Sequence, residues 1–310
     1  MVSSITDRML RMVPVDEGGT VLQRAQRLLD WRRTEKERLD VIWRYWNGRQ
    51  RHQFAPVGAP KDVTRLAEMS RINLMDIVVS AISQTLYVEG YREEREGDDA
   101  PAWEIWQRNK MDAEQAGIHD AAIAYGCSYA TVLPGDPVPV IRGWSPRYMT
   151  ALYGTDQDWP VEALSAEPNG NGWLYRPYDD RRVHTLESDA MGGDLRWLES
   201  EEHGVGETPV VRFRNRIDLD EDNNGEIEPL FALQDQIDHT TFNLKVAEHF
   251  GAFRQRWVLG WADADEEQAV QMAANRLMVF KDDPDQVKVG EFGQTDLSGY
   301  LDSRESAIRY

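Results

Sequence analysis

The segment that decides the fold is residues 229–253, PLFALQDQIDHTTFNLKVAEHFGAF, because it predicts one long helix. Pro229 suits the first helical turn, where its missing N–H costs nothing, and no glycine follows before Gly251. The apolar side chains form two stripes, one of Leu230, Leu233, Ile237 and Leu244 and the other of Phe242, Val246, Phe250 and Phe253. At about 1.5 Å per residue the helix would be roughly 37 Å long. Two stripes on so long a helix predict packing against more than one neighbour.

Composition excludes several classes of protein. The chain has 310 residues, 35 basic and 54 acidic side chains, a net charge of −19 and one cysteine. A length of this order predicts two domains or one elongated chain. A single thiol rules out an intrachain disulfide and a cysteine-based zinc site. The acidic balance disfavours a broad basic surface for nucleic acid. No apolar run approaches the length of a membrane helix, and no signal peptide is expected.

The charge is unevenly distributed along the chain. Residues 1–60 carry 11 basic and 7 acidic side chains, 61–200 carry 13 and 24, and 201–310 carry 11 and 23. The balances are therefore +4, −11 and −12, which makes residues 1–60 a basic N-terminal helical arm on an acidic body. The arm's arginines either form salt bridges with the chain's own acids or contact another subunit or nucleic acid. Gly48 is the predicted end of the arm helix.

Residues 61–215 predict one α+β domain. Two short helices are expected within residues 101–125, and β-rich runs separated by turn residues follow as an antiparallel meander. The predicted strands are Tyr129–Leu133, Val138–Ile141, Tyr148–Tyr153, Trp173–Tyr175, Arg182–Leu186, Leu195–Leu198 and Val210–Phe213. Beyond the long helix we expect strands near 257–259 and 287–292 and a helix over 265–278. A last helix over 296–310 lacks a stop signal, which indicates an incomplete helix.

The motifs of common catalytic sites are absent from the sequence. There is no Walker A loop, no GxGxxG and no GxSxG. The six histidines never take the spacing of metal ligands, and Cys127 is interpreted as a small buried residue. The residues themselves therefore indicate no common catalytic centre.

One stretch resembles a calcium-binding loop. Asp220, Asp222, Asn224 and Gly225 match the first half of an EF-hand loop, but Phe231 stands where the bidentate glutamate belongs. The stretch is either an acidic turn that favours the helix N-terminus after it or a weak Ca²⁺ or Mg²⁺ site. No other cofactor is expected.

Several segments in fixed order resemble the portal (head-to-tail connector) proteins of tailed bacteriophages, in the branch common among siphophages. They are RYWNGRQR (44–51), NLMDIVVSAISQTLYVEGYR (73–92), WEIWQRNKMDAEQAGIHDAAIAYGCSYATVL (103–133), TPVVRFRNR (208–216) and EIEPLFALQDQIDHTTFNLKVAEHFGAFRQRWVLG (226–260). None is a catalytic motif, and together they cover most of the chain. Their order and spacing carry the resemblance, which implies a protein that is not an enzyme.

The resemblance implies an assembly and a set of partners. It implies a homo-oligomeric ring, typically of twelve subunits, at the portal vertex of the virion, assembled in the host cytoplasm. Double-stranded DNA would pass through the ring, and the terminase large subunit, the major capsid protein and a head-completion or adaptor protein would bind it. By analogy residues 61–215 form a wing, 226–253 the first stem helix, 254–295 a small α/β clip and 296–310 the start of a second stem helix.

The predicted sites follow from the stem assignment. Residues expected at the DNA channel or a subunit interface are Lys245, His249, Arg254 and Arg256. Residues expected to pack the stem are Leu233, Ile237, Phe242, Leu244, Val246 and Phe250. Two other functions stay open: another virion component, such as a minor head protein or adaptor, and a metal-dependent hydrolase using Asp218, Asp220 and Asp222.

Overall fold

A computed structural model describes most of the chain. The described residues are 19–51, 58, 60–91, 101–156, 158–217, 224–251, 256–259, 277–280, 288–291 and 297–309. The chain divides into two compact units, the first formed by Met1–Gln50 and Asn73–Phe231 and the second by Arg51–Ile72 and Ala232–Tyr310.

Helices and strands occupy separate stretches of the described chain, with most helices before the run of strands, as in the α+β class that the sequence predicts. The helices are α1 Val21–Trp46, α2 Lys61–Met69, α3 Met75–Ser83, α4 Pro101–Arg108, α5 Met111–Tyr125, α6 Phe231–Gly251 and α7 Ser298–Arg309. The strands are β1 Cys127–Leu133, β2 Val140–Trp144, β3 Met149–Tyr153, β4 Pro160–Asn169, β5 Gly172–Tyr178, β6 Arg182–Ser188, β7 Arg196–Glu202, β8 Val210–Arg214, β9 Arg256–Leu259, β10 Leu277–Phe280 and β11 Lys288–Glu291.

The strands of the first unit form two antiparallel sheets. One sheet has the order β2-β1-β8, and the other is a meander in the order β3-β4-β5-β6-β7. The meander contains β4, which the sequence does not predict. Its segment PVEALSAEPN is rich in Ala and Glu, which are uncommon in strands, yet Ala163, Leu164 and Ala166 have no exposed surface. Burial against neighbouring elements therefore overrides the low strand propensity of this segment.

Helix α1 begins and ends on recognisable signals. Thr20 and Gln23 form a capping box, each side chain satisfying the other residue's backbone N–H. The helix ends at Trp46 with Asn47 as its C-cap, and Gly48 follows with a φ of 62°, so the predicted stop at Gly48 is confirmed. The first turns pack on the meander: Ala25, Leu28 and Leu29 share one apolar cluster with Leu152, Leu164, Ala166, Tyr175 and Leu186.

Helix α5 leads directly into the smaller sheet. Gly126 follows Tyr125 with a φ of 92°, and its backbone N–H donates to the carbonyl of Ala122. Because this residue adopts the left-handed conformation, the helix ends here and β1 begins at the next residue. The buried C-terminal half of α5 packs with α1 and α3 in a cluster that contains Ile42, Val79 and Tyr125.

Residues 224–227 lie against the end of helix α5. The backbone N–H of Glu226 donates to the carbonyl of Ile123 at 2.8 Å, and Ile227 has no exposed surface. Gly225 is required here because a Cβ on it would lie 2.1 Å from the carbonyl oxygen of Ala124. The glycine thus allows close approach of two backbones.

The second unit contains α2, α6, α7 and a small sheet with the order β10-β9-β11. In this sheet β10 is parallel to β9 and β11 is antiparallel to it. The predicted helix over 265–278 is wrong at its end, where Leu277 and Met278 are in β10, and the rest of it lies outside the described residues. Residues 61–72, which the sequence analysis assigns to the wing, group with this unit. Among the described residues, no helix combines the length and apolar character of a membrane span.

Gly225→Ala is expected to destabilise the first unit by at least about 2 kcal/mol, because overpacking against a backbone atom cannot be relieved by rotating a side chain. Gly117→Ala is the matched control. Gly117 is in the middle of α5 with nothing within 4 Å of its Cβ position, so alanine there should stabilise by roughly 0.8–1 kcal/mol. Urea unfolding of both variants measures the difference, and equal effects at the two positions would contradict the packing described for Gly225.

Candidate functional site

The first group of functional interest is a buried ion-pair cluster between helix α1 and the meander. The Glu162 carboxylate on β4 is 4% exposed. It accepts from Arg24 Nη1 at 3.1 Å and from Arg27 Nη2 at 2.5 Å. The two arginines are on successive turns of α1, so one carboxylate holds about one turn of the helix against the sheet. A carboxylate removed from water requires such partners.

Asp179 extends this cluster across the sheet. Its Oδ2 accepts from Arg24 Nη2 at 3.0 Å and lies 3.2 Å from His184 Nε2. Ser200 Oγ lies 2.9 Å from His184 Nδ1, so a hydroxyl on β7 completes the chain of polar contacts. The backbone N–H groups of Arg181 and Arg182 donate to Asp179 Oδ1 at 3.0 and 2.7 Å.

The surroundings of Asp179 favour its charged form. Burial alone would raise the pKa of this carboxyl group, but the hydrogen bonds from His184, the two backbone N–H groups and Arg24 together hold its pKa far below the ordinary value. A charged Asp179 therefore stabilises the fold at neutral pH.

Further arginines of the first unit pair within the chain. Arg38 on α1 binds both oxygens of Glu228, with its Nη2 2.5 Å from Oε2. Arg147 binds Asp40 of α1 at 3.0 Å and stacks over the ring of Trp43 at 4.6 Å. Of the two interpretations of the basic arm, the described part of α1 thus matches salt bridges with the chain's own acids.

The predicted stem helix corresponds to α6, which has 21 residues and is about 31 Å long. Its buried side chains lie on one broad face: Gln234, Ile237, Asp238, Thr241, Phe242 and Leu244. Leu233 and Val246 are half-buried, and the side chain of Phe250 lies outside the described residues. The assignment of these residues to stem packing stays a prediction.

A polar clamp lies at the centre of the buried face of α6. Asp238, with no exposed surface, accepts from the backbone N–H of Ile72 at 3.1 Å and from Gln234 Nε2 at 2.9 Å. Gln234 Nε2 also donates to the carbonyl of Ile72 at 2.7 Å. Both backbone groups of Ile72 are thus bound by side chains of α6, which explains why residues 61–72 belong to the second unit. The sequence pattern misses this clamp because Gln and Asp are typical of exposed helix positions.

The predicted channel or interface residues are only partly described. Lys245 and His249 are one turn apart on α6 and are both half-buried. Arg256 is the first residue of β9, its side chain lies outside the described residues, and Arg254 is outside them entirely. The structure thus brings Lys245 and His249 to one face of α6, and the role of all four residues stays a prediction.

The predicted cation loop also falls largely outside the described residues, since Asp218, Asp220 and Asp222 all do. The carbonyl oxygen of Asn224 accepts from Asn215 Nδ2 at 3.1 Å. Phe231, in the position of the missing glutamate, stacks on Tyr45 at 3.9 Å. Within the described part of the chain, no three His, Cys, Asp or Glu residues form a group that could hold a metal ion. The Ca²⁺ or Mg²⁺ site stays a prediction.

These features define a class of protein. Buried salt bridges hold helix α1 on the meander, and a polar clamp holds Ile72 on helix α6. The chain matches the family model "Phage portal protein, SPP1 Gp6-like" over residues 26–309. The protein therefore belongs to the SPP1 Gp6-like phage portal family, which is a structural family of the phage virion.

The other comparisons add little. A chain from the solved structure "Virion of native gene transfer agent (GTA) particle" is similar with 14% sequence identity and a TM-score of 0.43. The match covers 83% of this chain and 69% of that chain. The comparison with curated proteins found no match.

Asp179→Asn is expected to lower the free energy of unfolding by roughly 1–3 kcal/mol at pH 7, since it removes a charge that several donors bind. The folded-state pKa of Asp179 is depressed, so its stabilisation is present above the unfolded value and is lost as the pH falls through the folded value. The difference between wild type and variant should therefore shrink below about pH 4.

Asp180→Asn is the control for this prediction, because the Asp180 side chain is 64% exposed and 3.7 Å from Arg181. We expect its effect to stay within about 0.5 kcal/mol at every pH. Urea unfolding at pH 7 and pH 3 measures both variants. A loss in Asp179→Asn that is the same at both pH values would contradict the charged role of Asp179.

Proposed function

We propose that this protein forms the ring-shaped DNA channel at one vertex of a phage capsid, with twelve subunits in the ring. The family match carries the proposal, because it spans residues 26–309 and therefore both compact units. The genome would enter through this ring during packaging and leave through it during ejection.

The exposed apolar side chains support assembly with further copies. Within a short stretch that begins in α3, Ile77 is 61% exposed, Tyr87 56% and Tyr91 57%. Exposed apolar side chains concentrated in one segment are typical of protein–protein interfaces. In a ring, each subunit contacts its neighbour through two different surfaces, so such a segment would be covered on every subunit.

The exposed face of α6 supports a role in DNA passage. Ala232, Gln236, His239 and Asn243 share one face of the helix, and the first three are exposed. None of these four side chains carries a permanent charge. Affinity for phosphate grows with each Lys or Arg contact, so a polar face without Lys or Arg allows DNA to move past with little retention. We propose that this face lines the channel.

Lys245 lies away from the proposed channel face, so we assign it a different role. At about 100° per residue, Lys245 lies roughly 180° around the helix from Gln236. Lys245 and His249 are half-buried within one chain, whereas Gln236 and His239 are exposed. We propose that Lys245 and His249 contact a neighbouring subunit, as one of the two predicted alternatives.

The proposed partners follow from the assignment as a portal. A terminase large subunit would bind the ring during packaging, and head-completion or adaptor proteins would replace it afterwards. The major capsid protein would surround the ring at its vertex. We propose assembly in the host cytoplasm before the genome is packaged.

The purified protein is expected to form rings with a central hole in negative-stain micrographs. Twelve copies of the 310-residue chain, each of 35.6 kDa, should have a mass of about 430 kDa by mass photometry. A protein that stays monomeric across concentrations and salt conditions would contradict the proposed function.

Gln236→Lys is expected to increase retention of double-stranded DNA by the ring, because it places one cation per subunit on the proposed channel face. The added affinity should fall as salt rises, with a steeper dependence than that of wild type. Ala113→Lys is the matched control, since Ala113 is exposed on α5 and gives the same change in charge. Fluorescence anisotropy of labelled DNA measures both variants, and equal salt dependence in the two would contradict the assignment of the channel face.

A further inference from the structure

We propose that a cavity beside Arg32 in the first unit binds a carboxylate that is carried on an apolar body. The cavity has a volume of about 230 Å³. Its lining combines charged and apolar side chains: Arg32, Lys36, Leu39, Asp40, Arg147, Tyr148, Trp173 and Met191. It is smaller than the roughly 300–1,000 Å³ of pockets for drug-sized ligands, which suits a compact group.

The charged residues of the cavity leave a positive excess. Three cations, Arg32, Lys36 and Arg147, face a single acid, so the balance is 3 − 1 = +2. Asp40 is shared, since it accepts from Lys36 at 2.5 Å and from Arg147 at 3.0 Å. One carboxylate already binding two cations cannot neutralise the third, and an anion from outside would do so.

Arg32 is the residue that most needs such an anion. It is 6% exposed, and its Nη2 donates to the backbone carbonyl of Arg147. Its Nε has no hydrogen-bond acceptor, and no carboxylate pairs with it among the described residues. Burial lowers the pKa of Arg32, as expected for a cation removed from water without full compensation. A guanidinium in this state favours a carboxylate because hydrogen bonds between two charged groups are stronger than those between neutral groups.

The apolar walls of the cavity favour a carboxylate over a phosphate as the bound anion. Leu39, Tyr148, Trp173 and Met191 bring aliphatic and aromatic surface to the same cavity. A doubly charged phosphate loses more hydration on entering such surroundings than a singly charged carboxylate does. The walls can also contact the carbon atoms next to a carboxylate, so an aliphatic or aromatic acid fits better than a bare ion.

Two sources could supply this carboxylate, and the observations favour a second copy of the chain. The chain carries 54 acidic against 35 basic side chains, so acidic groups are abundant on any neighbouring copy. An aspartate or glutamate of that copy would bring its own methylene groups into the cavity. This assignment of the source rests on the proposed ring, whereas carboxylate binding itself does not. The other source is a small free carboxylate.

Binding is tested with phenylacetate and its neutral isostere phenylacetamide, by calorimetry and ligand-detected NMR on the full chain. We expect phenylacetate to bind at least about tenfold more tightly than the amide, since hydrogen bonds between charged groups are stronger than those to a neutral amide. Lys36→Gln and Arg32→Gln should weaken phenylacetate severalfold. Lys36 is half-exposed, so its variant should fold even where Arg32→Gln does not. Arg44→Gln, on the same helix but outside the cavity lining, is the matched control and should bind as wild type does.

Several results would overturn the proposal: equal affinity for acid and amide, no binding of phenylacetate to wild type, or binding that Lys36→Gln leaves unchanged. Mass photometry then separates the two sources. If phenylacetate or Lys36→Gln shifts rings towards smaller species and Arg44→Gln does not, the occupant is a side chain of a second copy. If rings stay intact while phenylacetate binds, the occupant is a free acid. If wild type forms no ring at all, the proposed function fails while the calorimetric test of the cavity still stands.

Discussion

A buried carboxylate on a central strand is the constraint on which the first unit depends. Glu162 is on β4 with 4% of its surface exposed, so its carboxylate needs hydrogen-bond partners inside the protein. Arg24 and Arg27 are its partners, which fixes both the position and the rotation of α1 on the sheet. The apolar face of the same helix is thereby directed at the meander. Asp179 repeats the constraint beside it, because Arg24 also donates to this second carboxylate.

The sequence predicts the helices of this protein better than its ion pairs. Helix α1 has apolar residues at helical spacing and a glycine at its end, which are local signals. The partners of Arg24 are 138 and 155 residues away, and no local pattern connects them. The sequence alone is compatible with two roles for these arginines: salt bridges within the same chain or contacts with a partner. Only the position of β4 beneath the helix distinguishes these two interpretations.

The elements that sequence patterns miss share one physical cause. Ala163 and Ala166 of strand β4 are both fully buried, each in a different apolar cluster, and Ala166 is the one that shares its cluster with α1, although alanine does not favour strands. Asp238 is buried on α6 because it binds the backbone N–H of Ile72, although an aspartate normally indicates an exposed position. Gly225 matches a calcium-loop pattern, yet its position requires glycine because the backbone of Ala124 is too close for a Cβ. In each case a contact between distant segments overrides the local preference.

The pairing of the arginines also bears on the passage of DNA that we propose for this acidic protein. Lasting attachment to DNA needs cations that are free to replace the counterions of phosphate. In the first unit Arg24, Arg27 and Arg38 are held by carboxylates of the same chain, and such paired groups offer little to a passing phosphate. The exposed face of α6 presents Gln236 and His239 rather than lysine or arginine. With a net charge of −19 on each subunit, the ring we propose would repel DNA weakly along its whole length and bind it at few points. A channel needs this balance, because the genome must move in under a motor's force and later move out again.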